Sequence, residues 1–296
     1  MAPLTGPWSA SWWFAPAALG RIAVLRVLAY LLVVVDLLFT TSWVAHHGDV
    51  SSSLYRPLFL ARTVSLPAPT SFGVTLLHWS LIAVAVAGVV VTVAGVRRGD
   101  RWIGLAVAVL YLWWMFVAMS YGKVDHDRFA FLVLAFVLPT VGFARVGQQD
   151  RSETAGWAVR MVQVAAVATY FLAAWAKIRF GGWGWVNGAT LARAVIRRGT
   201  WFSDWTLDLP GLLHVLQWAI LLLELAAPLL LLVRSQRLVS GIVAGLYAFH
   251  LMTFLALGIV FLPHLVALAA FLPLERLGRR GERAPTATAL SGAAGP

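Results

Sequence analysis

The chain contains no cysteine among its 296 residues. Disulfides, thiol redox chemistry and cysteine–metal sites are therefore excluded. Charge is scarce as well: only 12% of residues are Asp, Glu, Lys or Arg, against about 25% in an average soluble domain. Lysine is scarcer still, with Lys123 and Lys177 alone against 21 arginines. No phosphate-cradling glycine loop, dinucleotide fingerprint or Gly-x-Ser-x-Gly elbow is present. His46 and His47 offer metal-ligand types, but no His-x-x-x-His or Glu-x-x-His spacing occurs, so no metal site is expected.

What fills the chain is hydrocarbon, with 60% of residues hydrophobic. Runs of about 20 Leu, Val and Ala residues predict an all-α, polytopic integral membrane bundle of about eight transmembrane helices. The expected spans are 17–42, 75–96, 102–120, 129–146, 157–178, 211–233, 238–258 and 260–276. Segment 1–16 carries no basic residue and does not resemble a cleaved signal peptide. Its Trp8, Trp12 and Trp13 suit an interfacial belt. Residues 277–296 are small and polar and read as a disordered tail.

The net charge of +11 lies in short loops and at helix ends. That pattern suits orientation in an anionic bilayer better than nucleic-acid binding. Arg97, Arg98, Arg101, Arg145, Arg151, Arg234, Arg237, Arg276, Arg279, Arg280 and Arg283 fall on the side holding the N-terminus. The positive-inside rule then predicts a multi-pass cell-membrane protein with both termini cytoplasmic. All seven histidines fall on the opposite, outer side, and Lys177 ends the fifth span there too.

Polar residues interrupt several apolar runs. Arg160, Gln163, Val167, Tyr170, Ala174 and Lys177 recur at steps of three and four, which is one helical face. His214, Gln217, Leu221 and Glu224 form a second such face, and Tyr247, His250 and Thr253 a third. Arg21, Arg26 and Asp36 lie in the first span. These seams predict a polar cavity opening outward, or else hydrogen-bonded glue between helices. For Glu224 the two readings are pairing with an arginine and a functional role.

Lys177 stands at the end of a span where arginine carries nearly all other positive charge. It reads either as a snorkelling anchor or as a group chosen because lysine, unlike arginine, can give up its proton. His126 follows Asp125, a carboxylate able to orient the imidazole. Segment 179–210 is expected in the interface, with 188–198 a short amphipathic helix that forms a lid or an anchor.

The order of these pieces resembles a known family. Tyr170-Phe171-Leu172-Ala173-Ala174-Trp175-Ala176-Lys177-Ile178, followed by Trp185-Val186-Asn187-Gly188, is similar to a segment of the vitamin K-dependent gamma-carboxylase. Asp125-His126 and Phe249-His250 resemble its Asn-His and Phe-His pairs, and Glu224 falls where a carboxylate sits in a similar run. The resemblance covers residues 17–276 and extends to the wider HTTM (horizontally transferred transmembrane) domain family. It implies that Lys177 deprotonates a reduced quinone such as vitamin K or menaquinol, with oxygen and carbon dioxide as co-reactants and His126 assisting. By the same token His250 is a third catalytic candidate, and Tyr170, Asp125, Trp185, Glu224 and Tyr247 are candidate substrate contacts. Ala176 and Ala174 replace a lysine and a glycine of the family pattern. The family's large lumenal region is lacking, so a separate protein partner is expected to supply any protein-substrate docking. Two other readings stay open at this point: a non-catalytic membrane module that binds lipid, quinone or a protein, and a small-anion transporter.

Overall fold

A backbone polar group surrounded by hydrocarbon has no water to bond, so an apolar run satisfies itself as helix. The computed structural model describes residues 9–281, and its regular structure is almost entirely helical. Trp8, Arg283 and most of the polar tail lie outside the described residues.

In chain order the main helices are α1 (Leu19–Val35), α2 (Ser71–Val93), α3 (Asp100–Met119), α4 (Phe129–Val137) and α5 (Glu153–Gly181). They continue as α6 (Ala189–Arg198), α7 (Pro210–Ala226), α8 (Gln236–Leu257) and α9 (Leu262–Leu268). A π turn, Asp36–Thr40, prolongs α1, and a 3₁₀ turn, Ala227–Leu232, prolongs α7. With those extensions α1, α2, α3, α5, α7 and α8 are long and apolar enough to cross a membrane, six helices among the described residues.

The other two expected spans are shorter than the sequence predicts. Helix α4 has nine residues, which rise roughly 14 Å, under half of a hydrocarbon core of roughly 30 Å. Pro139 stops it, because proline lacks the N–H donor and crowds the carbonyl four residues back. After α9 a single 3₁₀ turn, Ala269–Phe271, leads to Pro273. Residues 189–198 are helical, as the amphipathic pattern predicts.

Two charged layers hold the short α4 against its neighbours. Arg26, 1% exposed on α1, donates to the Asp100 carboxylate on α3. It also donates to the carbonyls of Leu138 at 2.9 Å and Val141 at 2.7 Å, beyond the end of α4. At the other end of α1, Asp36 accepts from Arg128 at 2.5 Å and from the Tyr111 hydroxyl at 2.9 Å. Arg128 immediately precedes α4. The layers lie roughly 15 Å apart along α1, and α4 runs from one to the other. This corrects the expectation that Arg21, Arg26 and Asp36 join the cavity at the histidine end: none of them lines it, and Arg21 lines a separate cavity at the other end of the bundle. Each is closed into a side-chain pair, and Arg21 bonds Glu275 at 2.9 Å.

A two-residue ladder, β1 (Ala17–Ala18) with β2 (Arg151–Ser152), ties the start of α1 to the start of α5. Gly156 sits against it so closely that a Cβ would fall 2.0 Å from the Ala15 carbonyl oxygen. At the opposite end the Arg56 N–H donates to the Ser120 carbonyl, and His47 Nδ1 meets the Val117 carbonyl at 3.2 Å. The seven histidines occupy that end of the bundle, in the segments after α1 and before α4 or in the nearest turns of α2, α7, α8 and α9.

The Asp36–Arg128 pair yields a stability prediction. Asp36→Ala leaves a buried guanidinium without its counter-charge and should cost about 3–5 kcal/mol, read from denaturant unfolding in detergent. The double change Asp36→Leu with Arg128→Met should recover most of that loss. Equal losses in the single and double variants would contradict the role given to the pair.

Candidate functional site

Helix α5 turns its polar face inward. Gln163, Val167, Tyr170 and Ala174 are buried, and Lys177 follows one turn before the helix ends. The Lys177 ammonium position contacts both oxygens of Glu224, which projects from α7. Their side chains are 24% and 10% exposed. Glu224 is therefore partnered by the lysine, and not by an arginine as one sequence reading has it.

The chain beyond α5 wraps this pair. Gly182, at φ +62°, ends the helix, and a 3₁₀ turn, Trp183–Val186, brings the Trp185 ring to 5.2 Å from the lysine nitrogen. Gln217 of α7 holds that turn by donating to the Trp185 carbonyl. Gly188, at φ +84°, begins α6, and a Cβ there would lie 3.2 Å from the His214 nitrogen. A left-handed backbone in so close an approach favours glycine.

On its other flank the pair opens into a cavity of about 790 Å³. Tyr170 of α5, His250 of α8, His264 of α9 and the turn residues Asp125, His126 and Asp127 share its wall with Lys177 and Glu224. Apolar side chains, among them Phe129, Leu172, Phe249 and Phe261, supply much of the rest. The Tyr170 hydroxyl meets His250 Nε2 at 2.7 Å. The His264 ring lies edge-on to Tyr170, with centroids 4.6 Å apart. His264 is 2% exposed, yet neither of its ring nitrogens has a hydrogen-bond partner among the described residues, and the same holds for His250 Nδ1. Buried polar atoms of this kind normally meet a partner, so each calls for an explanation. Here they border a space large enough for a ligand, since pockets for small molecules run to about 300–1,000 Å³.

Six of the eight residues singled out from sequence thus line one cavity: Lys177, His126, His250, Tyr170, Asp125 and Glu224. Trp185 stands against Lys177 without lining the cavity. Tyr247 is turned elsewhere and donates its hydroxyl to the Leu265 carbonyl at 2.9 Å. Gln163 donates to the Ala270 carbonyl and so links helix to backbone, whereas Thr253 lines the cavity and donates to the Phe249 carbonyl of its own helix. Sequence reasoning passed over His264 and Asp127 as site residues. The signal for His264 was its place in the one-ended histidine set. Asp125 pairs with the exposed Lys123 at 2.9 Å. Among the described residues no group of three or more His, Cys, Asp or Glu is arranged to hold a metal ion.

Chemically, Lys177 and Glu224 form one acid–base unit. It exists as ammonium with carboxylate or as amine with carboxylic acid, and the two forms differ in the position of one proton. The apolar walls weaken dielectric screening and strengthen every charge interaction inside.

Asp127 gives a pH-dependent prediction. Burial pushes its carboxyl up from the ordinary range, against the opposing pull of Arg128. The folded protein therefore holds the neutral acid better than the unfolded chain does. The stability this supplies is complete below the unfolded-state value and is lost as pH rises through the raised one. Asp127→Asn should match wild type in acid and become the more stable of the two near neutrality, in thermal melts at both conditions. A difference that is constant with pH would refute the assignment.

No family model matches the chain, and no curated protein or solved structure matches it either.

Proposed function

We propose that the protein is a multi-pass membrane enzyme in which Lys177 acts as base on a lipid-soluble quinol. One observation carries the reading: a lysine–carboxylate pair shares an apolar-walled cavity with three histidines, two of which present buried, unpartnered nitrogens. Glu224 accepts the lysine's proton, and the free amine then takes the hydroxyl proton of the quinol. His126, on the cavity wall, and His250, bonded to Tyr170, supply further proton-transfer groups around the substrate. The resemblance to the vitamin K-dependent gamma-carboxylase core and the HTTM family supports the choice of a quinol. So does the greasy wall, which suits a hydrophobic ring and tail better than a polar metabolite.

In this proposal the chain crosses the cell membrane eight times, with the turns that follow α4 and α9 completing the two crossings those helices are too short to make, and with the arginine-rich end in the cytoplasm. The cavity then opens to the outer side. Oxygen is the co-reactant: quinol plus O₂ gives quinone epoxide plus water. Carboxylation with carbon dioxide would require a separate protein partner to bring the acceptor.

A second reading is favoured by one feature of the same site. The lysine already has its counter-charge in Glu224, so a paired lysine could serve a non-catalytic module that binds a quinone or lipid.

Lys177→Arg separates the two. Arginine keeps the charge and the Glu224 contact but cannot act as a base. Purified protein supplied with menaquinol or reduced vitamin K and oxygen should form epoxide. Lys177→Arg and Lys177→Ala should each lose about 100-fold or more while still binding the oxidised quinone. Absence of epoxide from wild type, or full turnover by Lys177→Arg, would overturn the enzymatic reading.

A further inference from the structure

At the end of the bundle opposite Lys177, a second cavity of about 440 Å³ has a different character. Arg21 at the start of α1, Arg160 near the start of α5 and Arg234 in the turn before α8 line it, together with Ser11, Gln163 and Gln236. Three guanidinium groups thus face one space from three separate elements.

Their charges are unevenly met. Arg21 is engaged by Glu275 through two bonds, at 2.9 and 3.1 Å. Among the described residues no carboxylate lies within ion-pair distance of Arg160 or Arg234. Arg160 is half-buried and holds only the neutral Gln163 side-chain oxygen at 2.7 Å and the Trp12 ring at 4.7 Å. The amide nitrogens of Gln163 and Gln236 are turned away to the Ala270 and Phe271 carbonyls. A partly buried cation with spare donors is unfavourable until an anion meets it.

The arrangement also selects among anions. Donors arriving from three directions match an anion whose oxygens point in several directions, as a tetrahedral phosphate's do, better than a flat carboxylate. We infer that Arg160 and Arg234, with Arg21 beside them, bind a phosphate group in this cavity. Leu231, Val233 and Phe271 on the adjoining wall offer apolar contact to whatever the phosphate carries. The group is therefore either the headgroup of an anionic phospholipid or a free phosphate.

The test uses the full chain in non-ionic detergent, with phosphatidylglycerol, phosphatidylcholine and inorganic phosphate as probes. Binding is read by native mass spectrometry for the lipids and by thermal melts for all three. Phosphatidylglycerol should bind in preference to phosphatidylcholine. Arg160→Gln and Arg234→Gln should each weaken binding about tenfold, and Arg193→Gln, at the far end, should not. Stabilisation by phosphatidylglycerol alone identifies a lipid headgroup, while stabilisation by inorganic phosphate as well identifies a free phosphate site. Arg234 is exposed, so its variant carries the test if Arg160→Gln does not fold. Failure of both anionic probes to bind, or unchanged affinity in Arg234→Gln, would overturn the inference.

Discussion

A charge placed inside a hydrocarbon bundle must find its opposite, and this single demand organises the molecule. Asp100, Asp36, Glu224 and Glu275 meet Arg26, Arg128, Lys177 and Arg21 across helix boundaries. Two of these pairs are sealed in the core. Arg26 and Asp36 sit at 1% and 0% exposure, which fixes α1 against α3 and α4 at two heights. Lys177–Glu224 is different in kind, because it borders the larger cavity. The sealed pairs set the frame, and the cavity-lining pair is the most exposed of the three.

The same demand distinguishes the two cavities. One couples a matched ion pair to imidazole nitrogens that lack a partner among the described residues, inside apolar walls. The other gathers guanidinium groups with too few carboxylates among the described residues to match them. In the proposed function the internally balanced charge serves proton exchange with a greasy substrate, and in the inferred anion site the excess of one sign retains a ligand of the other sign. Helix α5 links them, since Arg160 and Lys177 lie on one face of the same rod.

Much of this was legible in the amino-acid order. Apolar runs of about 20 residues marked the six long helices because hydrocarbon content and backbone self-satisfaction depend on local sequence alone. The steps of three and four on α5 identified the inward face, and the one-ended histidines foretold where polar groups would gather. Partner identity was not legible. Glu224 lies 47 residues from Lys177, and periodicity names a face without naming what that face meets. For the same reason Arg26 and Asp36 of α1 looked like cavity lining, although they close onto Asp100 and Arg128. Helix length was overestimated at α4, where Leu138-Pro139 continues the apolar pattern but breaks the hydrogen-bond ladder.

That break has a mechanical corollary. The guanidinium of Arg26 takes up carbonyls just past Val137, so it stands in for the helical turn that Pro139 forbids. The reach of one rod and the ion pair of its neighbour are thereby coupled. A chain change that regrew the missing turn would recapture those oxygens and loosen the arginine's grip on Asp100. The bundle's waist is, in effect, cinched by a side chain where backbone has run out.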